Sequence, residues 1–237
     1  MNMPLNSSAN TSDPIAQARY NMIEQQIRPW NVLDFGVLEL LEMVRREEFV
    51  PEAYRSMAFM DIEIPLLGND AEEAVRLGHS MLQPRVEARM LQDMQIGPTD
   101  RVLEIGAGSG YMAAMLAYRA KSVISLEINP TLAHMATENL RKAGITNAEV
   151  RLTDGALGPL PDGPFDAIVL SGSVAVIPAP LLALLRDGGR LGAIVGGEPV
   201  MRFTLMHRKG NTFETTSPWD TTAPRLLNFP EPSGFTF

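Results

Sequence analysis

V-L-E-I-G-A-G-S-G-Y, Val102 to Tyr111, passes from a short apolar run through a glycine loop into a helix-forming segment. Arg101 to Ile105 reads as a buried strand and Tyr111 to Tyr118 as the helix that follows. Glycines at 106, 108 and 110 permit a tight turn and close backbone approach to a ligand, backed by the unpaired N–H groups of the helix N-terminus. Such a unit predicts a nucleotide-like ligand at the carboxyl end of the strand.

Working outward, the alternation continues. Ser122 to Leu126, Ala148 to Leu152, Phe165 to Leu170 and Arg190 to Val195 are strand patterns. Between them, Asn129 caps a helix with Pro130 at its first position, Leu132, Met135, Ala136 and Leu140 on its inner face and Gly144 at its end; Pro178 to Leu185 is a further helix. Strands alternating with helices imply crossover units and a parallel sheet covered on both faces. Val200 to His207 and Thr212 to Pro218 suit an antiparallel hairpin about Gly210-Asn211 at the sheet edge. The fold class is therefore α/β, a doubly wound, mostly parallel seven-stranded sheet.

Upstream lies a helical appendage. Asp13 caps and Pro14 opens a helix that stops near Pro29, and a second helix from Asp34 carries Val37, Leu38, Leu41 and Val44 on one face. Ala58 to Leu67 looks extended, Gly68 to Gly78 reads as a polar, acidic, mobile connection, and Pro84 to Ile96 returns to helix before Gly97-Pro98. Three parts follow: a disordered tail over residues 1–13, an N-terminal helical, substrate-side region over 14–97, and a ligand-binding core over 98–237 that ends in the hairpin.

Composition excludes several classes. The chain has 237 residues, 45% of them hydrophobic, enough for one substantial core. Twenty basic against 28 acidic side chains leave −8 with no basic patch, so nucleic acid and anionic membranes are not expected partners. The absence of cysteine removes disulfides, a thiolate nucleophile and cysteine-based metal sites. His79, His134 and His207 stand far apart in sequence, so no metal is expected. Residues 1–14 lack the apolar run of a signal peptide, and no segment reaches the roughly 18 apolar residues of a membrane span, which makes the cytoplasm the default location.

The ligand can be narrowed. A dinucleotide loop reads G-x-G-x-x-G, whereas this one reads G-x-G-x-G with Glu104 two positions before Gly106. A carboxylate there suits an amine and a sulfonium cation better than a pyrophosphate. Glu127, with Ile128 beside it, closes the second strand 21 residues after Gly106 (127 − 106), where a carboxylate can accept both ribose hydroxyls. Asp154-Gly155, just after the third strand, offers an acceptor for an adenine amino group and room for the ring. An NAD-dependent oxidoreductase ranks below this reading, because the glycine spacing differs and no proton-transfer residue stands out.

These residues, with P-F-D-A-I-V-L (Pro164 to Leu170) and L-L-R-D-G-G-R-L (Leu184 to Leu191), resemble the class I S-adenosylmethionine-dependent methyltransferases from about Asp100 to Gly196. Within that class, the chain from about Tyr20 is similar to the protein-L-isoaspartate O-methyltransferase family. The likeness rests on R-R-E-E-F-V-P (Arg45 to Pro51), G-x-x-x-x-Q-P (Gly78 to Pro84), L-E-I-G-A-G-S-G-Y-x-A-A (Leu103 to Ala114) and V-x-V-I-P (Val174 to Pro178). The resemblance implies a Rossmann-like fold, S-adenosyl-L-methionine as cofactor, and methyl esters formed on isoaspartyl carboxylates of damaged proteins or peptides. It implies cofactor contacts at Glu104, Gly106, Gly108, Gly110, Glu127, Ile128, Asp154 and Gly155.

The chain departs from the family at one segment. The family's G-Q-T-I-S-Q-P stands here as G-H-S-M-L-Q-P, Gly78 to Pro84, so the active-site serine position is Leu82. Ser80 keeps a hydroxyl at the threonine position, and His79 replaces glutamine; both are candidates for the acceptor side. Leu82 keeps two alternatives open: a methyltransferase for a small metabolite or another protein group, and a non-catalytic cofactor-binding module. The ending Ser217 to Phe229 also departs from the family's, and oligomeric state is not legible.

Overall fold

The structure is a computed structural model describing residues 13–68 and 70–231. The expected tail therefore lies, apart from Asp13, outside the described residues. Helix α1 (Pro14–Met22) starts where the sequence indicates, with Asp13 accepting from the Ile15 amide at 2.9 Å. A π turn over Ile23–Ile27 and a 3₁₀ turn over Arg28–Trp30 carry it past Pro29 to Asn31, which ends it in the left-handed conformation at φ 60°. Pro29 is tolerated because it sits in the first positions of the 3₁₀ turn, where its missing N–H is not required. Helix α2 (Phe35–Met43) is capped by Asp34 and buries Val37, Leu38, Leu40 and Leu41.

Two expectations fail in the next stretch. Instead of an extended Ala58 to Leu67, a 3₁₀ segment (Glu52–Met57) and turns lead to a strand β1 of two residues (Ile64–Pro65). Instead of a mobile connection, Ala71–Arg76 is a helix, α3. Its signal was present: Asp70 caps the Glu73 amide, and Glu72 and Glu73 occupy the first turn, where the helix dipole favours acids. β2 (Ser80–Met81) pairs antiparallel with β1. Helix α4 (Pro84–Met94) then closes with Gln95, not Gly97, in the left-handed region at φ 47°.

From there the alternation holds. β3 (Arg101–Ile105), α5 (Tyr111–Arg119), β4 (Ser122–Glu127), α6 (Pro130–Lys142), β5 (Ala148–Leu152), β6 (Phe165–Val174), α7 (Ala179–Ala183), β7 (Leu185–Gly197), β8 (Val200–Lys209) and β9 (Thr212–Thr221) complete the chain. Among the described residues the large sheet has seven strands in the order β5-β4-β3-β6-β7-β8-β9; the first five pair in parallel and β8 and β9 add antiparallel. β3, β4 and β6 are almost wholly buried and correspondingly apolar, as central parallel strands must be. Gly210, at φ 60°, makes the two-residue turn of the β8–β9 hairpin. Helix α7 is shorter than the sequence suggests and β7 longer, because Leu185 already pairs with Phe165 and is buried in the core.

The N-terminal helices and the sheet share a core. Met22, Ile27, Leu38, Leu41 and Met90 belong to the same buried cluster as Val102, Leu116, Val169 and Phe203. Arg190 of β7 spans the 97/98 boundary, donating to the Gln95 carbonyl at 2.7 Å and to Asp100 at 2.6 Å.

Candidate active site

The chain order reverses between β3 and β6, and in a parallel sheet the carboxyl ends of the strands on either side of such a point leave a crevice. A cleft lies there, lined by Gly106, Gly108, Glu127, Asp154 and Leu226. The glycine loop forms its floor. Gly106 and Gly108 take φ of +92° and +54°, and Gly110 takes +84° where α5 begins, its Cα so near Ala136 of α6 that a Cβ would lie 3.1 Å from the Ala136 backbone. Gly106 and Gly108 face the cleft, whereas Gly110 serves the packing of α5 on α6.

Glu127 ends β4 at the rim. One oxygen accepts from the Gly108 amide at 2.9 Å and the other from the Asn129 amide at 3.0 Å, which locks the carboxylate against the loop and leaves further lone pairs for a ligand. Ile128, Thr153, Asp154 and Gly155 continue the same wall. Asp154 accepts from the Ala156 and Leu157 amides and, at 2.8 Å, from the Asn228 side chain. Burial pushes its carboxyl upward, but these hydrogen bonds outweigh it and hold the carboxyl below its ordinary range. A Cβ on Gly155 would meet Ile105 at 2.6 Å, so this glycine is required by the strand beneath it.

Glu104 sits elsewhere than the sequence suggests. It is fully buried behind the loop, its oxygens 2.6 Å from the Ser125 hydroxyl and 2.7 Å from the Ser171 hydroxyl, and is not on the wall of the main cleft. Burial raises its pKa to about 8. It lines instead a second, smaller cavity, together with Ser80, Met81, Leu82, Glu87, Tyr111 and Ser171. Leu82 faces that cavity and not the main cleft; Ser80 and Ser171 line both. His79 lines the main cleft, its Nε2 3.3 Å from the Asn129 side chain. The Ser80 and Tyr111 hydroxyls are buried and have no hydrogen-bond partner among the described residues.

Two features escaped the sequence reading. One is the segment Arg225 to Phe229, which covers the cleft: Leu226 packs so close to Gly106 and Gly172 that a Cβ on either would fall within 2.9 Å of it. Its trace in the sequence is an apolar R-L-L-N-F with no helix or strand period. The other is a buried ion pair, Arg46 with Glu87, in which Arg46 also donates to the Leu82 carbonyl at 2.6 Å and lies over the Tyr111 ring. Burial pushes the Glu87 carboxyl up to about 7 against the pull of Arg46. A signal existed here too, since Glu87 falls on the same face of α4 as Leu91 and Met94. Among the described residues no group of three His, Cys, Asp or Glu side chains is placed to hold a metal, and no helix is long and apolar enough to cross a membrane.

The parallel sheet, the loop at its switch point and the acid-walled cleft are those of a Rossmann-like methyltransferase. A protein-L-isoaspartate O-methyltransferase from Plasmodium falciparum, solved with S-adenosyl-L-homocysteine, shares this fold at a TM-score of 0.70 and 19% identity, over 90% of this chain and 98% of its own. The family model for protein-L-isoaspartate(D-aspartate) O-methyltransferase matches residues 17–219, and the chain belongs to that family. Protein-L-isoaspartate O-methyltransferases of Methanoculleus marisnigri and Herpetosiphon aurantiacus are 38% and 34% identical to it, over 86% and 87% of this chain and 89% and 88% of theirs. The resemblance and the fold drawn from the sequence are both borne out.

Proposed function

We propose that this chain binds S-adenosyl-L-methionine in the main cleft and methylates the carboxylate of isoaspartyl residues in proteins or peptides. The observation that carries the reading is Glu127, fixed by two backbone amides at the end of β4 with lone pairs left for ribose hydroxyls, beside a loop in which Gly106 and Gly108 take positive φ and line the cleft. Ile128 and Asp154 serve the adenine end, with Gly155 on the same wall. The acids Glu127 and Asp154 give the wall a negative field, which suits a ligand that carries a sulfonium and an amine. Glu104 contributes from behind the loop, through Ser171.

When bound, the cofactor supplies an activated methyl group, whose bond to sulfur breaks with its electron pair going to sulfur as the acceptor oxygen bonds to carbon. A carboxylate acceptor is an anion near neutral pH, so these residues need not remove a proton. Their task is to align the acceptor and keep water out. Leu226 and Phe229 close the cleft on one side, and Ser80 and Ser171 face the acceptor. Purified protein incubated with S-adenosyl-L-methionine and an isoaspartyl peptide should form a base-labile methyl ester, and the aspartyl isomer should not. Cofactor binding without any such ester would remove the isoaspartyl assignment.

A further inference from the structure

Three hydrogen-bonding groups meet behind the glycine loop: the Glu104 carboxyl, Ser125 on β4 and Ser171 on β6, with both serine oxygens within 2.7 Å of the carboxyl. Among the described residues no cation contacts Glu104. The charged or titratable groups that face it are Glu87 on α4, itself bound to Arg46, Glu127 on β4 and the Tyr111 hydroxyl on α5. Desolvation by this setting favours the neutral acid. A neutral carboxyl has one O–H, which it must donate to one of the two serines; that serine then turns its own proton elsewhere.

The choice between the serines is fixed by burial. Ser125 is completely enclosed in the middle of β4, and its hydroxyl has no other partner among the described residues. A proton turned away from Glu104 there would be orphaned at the cost of an unmade hydrogen bond. Ser171 lines the main cleft as well as the smaller cavity. The low-energy arrangement therefore has Ser125 donating to Glu104, Glu104 donating to the Ser171 oxygen, and the Ser171 proton directed into the cleft.

We infer that Ser171, oriented by Glu104, is the hydroxyl that positions the acceptor carboxylate in this chain, where Leu82 occupies the family's serine position. The inference rests on the methyltransferase reading above. Ser171 hydrogen-bonds the carboxylate oxygen that does not attack, and no proton is transferred. Ser80, whose buried hydroxyl is unpartnered on the same two cavities, is the second donor. Glu104 is a positioning residue: ionised, it would take protons from both serines and withdraw the donor from the cleft.

Steady-state methylation of an isoaspartyl peptide at saturating cofactor, with cofactor affinity measured separately by calorimetry, tests this. Ser171→Ala should raise the peptide KM roughly ten- to a hundredfold, the value of a hydrogen bond to a charged group, with cofactor Kd unchanged. Ser171→Thr should restore it. The wild-type KM should climb as the pH passes about 8 and Glu104 ionises, and in Glu104→Gln, which stays neutral and can donate at any pH, that climb should disappear. A wild-type KM in Ser171→Ala, or a KM and a cofactor Kd that move together, overturns the assignment while the methyltransferase reading stands. A wild-type protein that binds cofactor but forms no ester sinks both.

Discussion

Where β4 and β5 finish, the cleft is walled by backbone amides, glycines and two carboxylates already anchored by hydrogen bonds; where β2 and β6 approach, it is walled by serines and apolar side chains over a buried charge cluster. The two ends are held differently. At the first, geometry comes from loop conformation, and each ligand-facing group is fixed by the main chain. At the second, it depends on which hydroxyl points where, and so on the protonation of Glu104 and the Arg46–Glu87 pair behind it. The difference predicts that damage to the first end shows up in cofactor affinity, and damage to the second in acceptor affinity or in stability.

The sharpest test of the first end is Gly106→Val. The residue has φ +92°, and a Cβ would lie 2.9 Å from Leu226, so a branched side chain meets both backbone strain and a filled space. Calorimetry should detect no cofactor binding, with far-ultraviolet circular dichroism unchanged. Binding at wild-type affinity would show that the loop is not the floor of the site.

At the other end the corresponding variant is Arg46→Met, which strands Glu87 and the Leu82 carbonyl without a donor. Loss of one partner of a buried pair costs about 3–5 kcal/mol, to be read from urea unfolding. Replacing both partners, Arg46→Met with Glu87→Met, should recover most of that loss, because neither charge is then buried alone. If the double variant is no more stable than the single one, the pair is not the reason for the loss. An intermediate effect is expected at Glu127→Ala, where cofactor binding should weaken by about 1–3 kcal/mol through the ribose hydroxyls. The isoaspartyl KM at saturating cofactor should not move; a shift there would join the two ends that the structure separates.

The contrast also explains what the sequence disclosed. The first end was legible because its signals are local: glycine spacing, an acid 21 residues on and a strand-end Asp-Gly are all fixed by the loop–strand unit in which they lie. The parallel sheet was legible for the same reason, since apolar runs alternate with capped helices. The second end is assembled from α4, β2, β3, β4 and β6, whose proximity no local pattern encodes. Glu104 illustrates the limit. Its position beside the loop was plain, but strand alternation turned it toward Ser125 and Ser171 and off the wall of the main cleft. Arg225 to Phe229 was illegible because it is held by one parallel bridge to Ser173 of β6, by Leu226 on two glycines and by Asn228 on Asp154, and not through a periodic face.

Glu104 offers the gentlest probe of the comparison, through the pH dependence of folding. In the unfolded chain its carboxyl titrates near its ordinary value of 4.5, and in the folded protein burial raises this to about 8. Between those values the folded state holds a proton that the unfolded state has released, so stability must fall as the pH rises. The contribution is complete below the lower value and gone above the upper one. A fully resolved titration amounts to about 1.4 kcal/mol for each pH unit, and Glu87, raised to about 7, adds to the same trend over the lower part of the range. Glu104→Gln removes one of the two titrations. Its unfolding free energy should therefore decline less steeply than that of the wild type between pH 5 and 8, the two slopes converging above pH 8. Parallel curves for the two proteins would mean that Glu104 is ionised in the folded state, with Ser125 and Ser171 both donating to it and the acceptor end deprived of the Ser171 donor.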